Sequence, residues 1–120
     1  MGRIISARSG AEPLPDDFKI HRLLVNLGNA YVRRSAAERR NIMRAFNKFA
    51  FGKAKSASYW DLWSEDDAKI CYLRLKPISP KIANGFRRWT SELLKTGRNN
   101  KWALKCLMDD LVVRTWIEEP

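Results

Sequence analysis

Chemistry is most definite at the first six residues of this chain, Met1-Gly2-Arg3-Ile4-Ile5-Ser6. Removal of the initiator Met exposes Gly2, and Ser6 completes the N-myristoylation pattern. The acyl chain joins the α-amino group of Gly2, which has no side chain to obstruct the transferase. Ser6 supplies the small hydroxyl residue that is read. The competing explanation is chance, which by typical residue frequencies gives such a start in about one protein in a hundred. One myristoyl chain holds a protein on a bilayer only marginally and reversibly, so stable attachment needs a second signal such as a basic surface.

That second signal is written into residues 33–55. Arg33, Arg34, Arg39, Arg40, Arg44, Lys48, Lys53 and Lys55 face a single acid, Glu38. Ordinary solvated faces mix their signs, and this stretch does not. With Arg3 in the N-terminal arm, these residues form the expected lipid- or polyanion-binding set.

Other chemistry is missing from the sequence. His21 is the only histidine, and it reads as a helix residue at or near the surface. Cys71 and Cys106 have no paired spacing and read as buried thiols. No Gly-rich phosphate loop and no Cys/His metal spacing occur. A Ser-His-Asp arrangement would have to use His21, which lies in no nucleophile motif. Acidic residues fall mostly at helix starts, where capping accounts for them. We expect a protein that is not an enzyme, with no metal and no cofactor beyond a covalent myristate on Gly2.

The elements that must carry these residues are helical. Residues 1–15 hold Gly2, Ser6, Ser9, Gly10, Pro13 and Pro15 and read as a flexible arm. Asp16 and Asp17 start a first helix with Phe18, Leu23, Leu24, Leu27, Ala30 and Tyr31 on its inner side. Gly28 within it would allow close helix packing. Ser35-Ala36-Ala37-Glu38 is a capping box. The second helix buries Ile42, Met43, Phe46, Phe49 and Ala50 and stops at Gly52. Residues 56–75 read as a short turn and then a helix that begins at Ser64-Glu65-Asp66-Asp67, with Ile70, Cys71, Leu73 and Leu75 inward. Partial alternation in residues 70–75 leaves a strand as the alternative there. Tyr59, Trp60, Leu62 and Trp63 read as core, with stacking on bases as the alternative. Ser79-Pro80 opens a helix with Ile82, Phe86, Trp89, Leu93 and Leu94 inward, and Gly97 closes it. Asn99 or Asn100 caps a last helix that buries Trp102, Leu104, Leu107, Met108, Leu111, Val112 and Trp116. The fold class is all-α: a compact bundle of about five helices, with residues 1–15 as the arm and residues 16–120 as a single helical domain.

Bulk properties agree. The 120 residues are 45% hydrophobic, enough for one domain with a real core. Lys and Arg total 23 against 13 acids, a net charge of +10, which implies polyanionic partners. No run approaches the ~20 apolar residues of a membrane span, and no secretory signal opens the chain. The cytosolic side of a membrane is therefore the expected location.

Two stretches resemble a known family. Met1-Gly2-Arg3-Ile4-Ile5-Ser6-Ala7-Arg8-Ser9 resembles the opening of a retroviral matrix domain, the N-terminal part of Gag, most of all the deltaretroviral one. His21-Arg22-Leu23-Leu24-Val25-Asn26-Leu27-Gly28-Asn29-Ala30-Tyr31 is similar to that family's first helix, although Leu24 stands where the family has tryptophan. The likeness covers the first third of the chain, and the Trp-rich second half has no clear counterpart. The resemblance implies a viral structural protein carrying myristate on Gly2. It would bind anionic lipids of the inner leaflet at the cytoplasmic face of the host plasma membrane, enter the virion and self-associate in an assembly lattice. A nucleic-acid-binding domain that uses the same basic helix on RNA or DNA phosphates is the alternative. A helical adaptor whose charge serves only solubility is the third.

Overall fold

Serine side chains fix where three of the helices begin. Ser35 Oγ accepts a hydrogen bond from the Glu38 N–H at 3.2 Å, and Glu38 Oε1 accepts from the Ser35 N–H at 3.3 Å. Ser64 and Asp67 repeat the exchange at 3.1 and 3.0 Å. Ser79 Oγ accepts from the Ile82 N–H at 3.3 Å, with Pro80 in the first turn. Each cap is worth about 1 kcal/mol. Asn100 Oδ1 does the same for the last helix, accepting from the Ala103 N–H at 3.0 Å.

A computed structural model describes residues 15–52 and 59–118 of the chain. Gly2, Arg3 and the rest of residues 1–14, and also Lys53 and Lys55, lie outside the described residues, whereas Pro15, expected to end the arm, begins the first helix. The helices are α1 (Pro15–Val32), α2 (Ala36–Phe51), α3 (Glu65–Leu75), α4 (Pro80–Thr96) and α5 (Lys101–Glu118). Among the described residues there is no strand, only an isolated antiparallel bridge between Leu62 and Asn100. The chain is all-α, and residues 70–75 are helical.

The helices pack as a closed ring of neighbours: α1 on α4, α4 on α3, α3 on α2, α2 on α5 and α5 back on α1. Its centre is filled by Leu27, Ile42, Phe46, Leu75, Ile82, Phe86, Leu104, Leu107 and Leu111. Phe86 lies 5.5 Å from Phe46, 5.7 Å from Phe49 and 6.3 Å from Trp89 between ring centroids, so α4 meets α2 through aromatic contacts. Gly97 closes α4 at φ 73°, a left-handed position that favours glycine. Gly28 of α1 sits beneath Arg114 of α5, where a Cβ would lie 2.5 Å from Nε.

Several expected core residues are on the surface. Phe18 is 61% exposed, and Ile70 and Leu73 also face solvent. Helix α3 is only 11 residues long and touches α2 and α4 through the narrow line Ala68, Cys71 and Leu75. Tyr59, Trp60 and Leu62 are exposed, and only Trp63 of that group is buried. Backbone bonding explains this. The Trp63, Lys101 and Trp102 N–H groups donate to the carbonyls of Asn99, Asp61 and Tyr59 at 2.9, 3.0 and 2.9 Å, which straps residues 59–63 across the start of α5. Trp63 Nε1 donates to the Asn100 carbonyl at 3.0 Å, so this ring alone turns inward. Trp102, Val112 and Trp116 are exposed because α5 is apolar on both sides and periodicity did not single out the inner one. Cys106 is exposed. Cys71 is buried, its Sγ 3.8 Å from the Ala45 carbonyl, and burial pushes its pKa up to about 12, so it is a packing group.

Candidate polyanion-binding surface

Helix α2 buries Ile42, Ala45, Phe46 and Ala50 and so fixes the opposite side outward. Arg40, Arg44 and Lys48 recur there every four residues and form one exposed stripe. Arg44 Nη1 donates to Asn41 Oδ1 at 3.2 Å. Among the described residues, none of Arg33, Arg40, Arg44 and Lys48 is paired with an acid.

Arg39 differs from its neighbours. It is half-buried, and Nη1 donates to the Arg34 carbonyl at 2.8 Å and to the Val32 carbonyl at 3.4 Å. Tyr31 Oη donates to the Arg39 carbonyl at 3.5 Å. Burial raises the Tyr31 pKa, and the Arg39 charge partly offsets this. Arg39 therefore ties the α1–α2 turn together as well as adding charge. Arg34, in that turn, is half-buried too.

Arg33 is exposed and lines a shallow groove of about 500 Å³ between α1 and α4 together with Lys81 and Arg88. Asn29 and Asn84 are also in its lining, and no acid is. Sequence reasoning missed Lys81 and Arg88. Their spacing with Asn84 at positions 81, 84 and 88 marks one side of a helix, but attention there went to the apolar stripe. Lys48, at the far end of α2, shares a depression of about 470 Å³ with Arg74, Lys101, Asp61 and Asp67. The two acids dilute the positive charge there. The structure thus brings Arg40, Arg44 and Lys48 into one stripe, sets Arg33 in a separate groove, and places Lys48 where the signs mix.

An aromatic step stands beside that depression. Phe51 at the end of α2 meets Tyr59 at 6.5 Å, and Tyr59 meets Trp102 at 5.5 Å, both edge to face. Trp60, next in the chain, is 77% exposed, and Leu62 lines the same depression as Lys48 and Lys101.

Acidic charge is spent on structure elsewhere. Glu92 of α4 is largely buried and pairs with Lys19 of α1 at 3.2 Å and with Lys95 at 3.3 Å. Burial pushes its carboxyl up, but the hydrogen bonds from Lys19 and Lys95 outweigh this and leave its pKa below the ordinary 4.5. Arg98, just past the end of α4, pairs with Asp17 of α1. Among the described residues no group of three or more His, Cys, Asp or Glu is placed to hold a metal ion. No helix among them is long and apolar enough to cross a membrane.

Compared with family models, with curated proteins and with solved structures, the chain gives no match in any of the three. The likeness to a retroviral matrix domain rests on the residues quoted for it above.

Proposed function

We propose that this protein is a peripheral membrane-targeting structural module of the viral matrix type. Myristate on Gly2 would supply one attachment signal, and the α2 cations would supply the second by meeting anionic lipid headgroups. The observation that carries the reading is the exposed stripe Arg40, Arg44 and Lys48, displayed on a helix and unpaired with acids among the described residues. Its end at Lys48 shares a depression with exposed Leu62, cations beside an apolar group suited to the headgroup layer. The role is structural, with supporting particle assembly as its outcome, and requires no bond chemistry by the protein.

The test is flotation of protein made with an N-myristoyltransferase present, on vesicles containing phosphatidylserine. Mass spectrometry should first show one myristoyl group, absent from Gly2→Ala. Gly2→Ala and the triple change Arg40→Gln, Arg44→Gln, Lys48→Gln should each lose most of the floated protein. If the triple variant floats like the parent but loses affinity for single-stranded RNA, the stripe serves nucleic acid and the membrane reading of it fails.

A further inference from the structure

Helix α5 carries a second apolar face that no other described helix covers; Tyr59 of the strap packs on Trp102 at its start. Trp102, Cys106, Val112, Val113, Trp116 and Ile117 recur at helical steps on one side and are all exposed, Trp116 and Ile117 by 74% and 76%. Leu104, Leu107, Met108 and Leu111 on the other side are buried where α5 packs on α1 and α2. A helix apolar on both sides belongs inside a larger assembly. The outer stripe spans roughly 22 Å at 1.5 Å per residue. It holds two charges, Lys105 and Asp109, which bond each other at 2.7 Å.

Those two charges make the stripe self-complementary. They have opposite signs and lie symmetrically about position 107. If a second α5 is turned antiparallel about a two-fold axis there, each Lys105 meets Asp109 of the other copy, and each Trp102 meets Val112 of the other copy. A parallel pair would set like charge on like. We propose that the outer face of α5 is the interface of an antiparallel, two-fold homodimer whose register is set by reciprocal Lys105–Asp109 pairs.

The dimer is independent of acylation, so it is tested on the unacylated full chain without lipid. In sedimentation equilibrium the apparent mass should rise with concentration from 13.9 kDa towards twice that value. Val113→Arg should weaken association about tenfold or more while leaving the circular dichroism melt unchanged. Lys105→Asp should weaken it as well, and adding Asp109→Lys should restore it. Cys106 is accessible and Cys71 is not, so a short bis-maleimide should give a covalent dimer through Cys106 alone. In a Cys106→Ser/Ile117→Cys chain the two thiols would lie about 30 Å apart along the paired helices and should not cross-link. A monomeric mass throughout the series would overturn the proposal. Cross-linking at Ile117→Cys would overturn the antiparallel arrangement. Protection of that cysteine from maleimide by vesicles, in protein that stays monomeric, would assign the face to lipid instead.

Discussion

Arginines that look equivalent in the sequence do different work in the fold. Arg39 places its guanidinium on the carbonyls of Val32 and Arg34, where α1 ends with unsatisfied acceptors. Arg40 points to solvent. Arg39→Ala should therefore cost about 1–2 kcal/mol by leaving those half-buried carbonyls short of donors. Arg40→Ala should stay within about 0.5 kcal/mol of the parent. Urea melts of the two variants decide this, and equal midpoints would mean that Arg39 belongs with the surface stripe alone. Glu92 gives a pH-dependent prediction. Its folded pKa lies below its unfolded value, so the stability it contributes is present above about pH 4.5 and is lost as pH falls through the lower, folded pKa. Lys19 and Lys95 are mostly exposed and solvent screens them, so the effect should be modest. Thermal melts between pH 6 and pH 3 should show a shallower acid loss for Glu92→Gln than for the parent. Parallel curves would show that the Glu92 pairs contribute nothing to acid stability.

At the level of elements, the helices were legible where local signals agreed. Ser35, Ser64 and Ser79 caps, the Pro80 start and the Gly97 stop are short-range chemistry, and each stands where its residues imply. The inner faces of α2 and α4 were legible because each has one apolar side and one charged side. Two elements misled for physical reasons. Helix α3 meets its neighbours through Ala68 and Cys71, so its larger Ile70 and Leu73 are left outside. The strap formed by residues 59–63 depends on backbone bonds to residues 99–102, a pairing across the chain that no local pattern encodes. The same limit hid the α1–α4 groove, because Arg33 and Arg88 are neighbours only after folding. Trp63 holds this strap to the core, with Phe49 at 5.4 Å and the Asn100 carbonyl on its indole N–H. Trp63→Ala should cost about 3–5 kcal/mol in a denaturant melt. Trp60→Ala, on the solvent side of the same strap, should change little. A loss under ~0.5 kcal/mol for Trp63→Ala would mean that the strap is not anchored by that ring. Gly28→Leu is the corresponding test of α1 against α5. Its Cβ would meet only the flexible end of Arg114, which can swing aside at the cost of its pair with Asp110, so a denaturant melt should show a loss under about 1 kcal/mol, and a larger loss would mean that Arg114 is fixed in place.

For the whole molecule, the net charge of +10 matters through where it is displayed. The single Glu92 carboxylate is shared by Lys19 of α1 and Lys95 of α4, and Asp17 of α1 pairs with Arg98 just past α4. The α2 stripe keeps its charge. A single myristoyl chain gives a partition constant of about 10⁴ M⁻¹, and each cation held near an anionic surface adds on the order of 1 kcal/mol. Two or three cations of the stripe would then raise binding about thirty- to 150-fold. That gain is screened within ~8 Å at physiological salt and falls further as salt rises. The acyl contribution does not depend on ionic strength in this way. Under the proposed function, the acylated parent should bind phosphatidylserine vesicles far better than neutral ones at low salt. High salt should reduce it to the level of the Arg40→Gln, Arg44→Gln, Lys48→Gln protein on either vesicle. The Gly2→Ala protein should lose binding at every salt concentration. Flotation across a salt series measures all three. Equal, salt-insensitive binding of the acylated parent to neutral and anionic vesicles would mean that the stripe has no part in membrane attachment, and its cations would then be free to serve nucleic-acid phosphates.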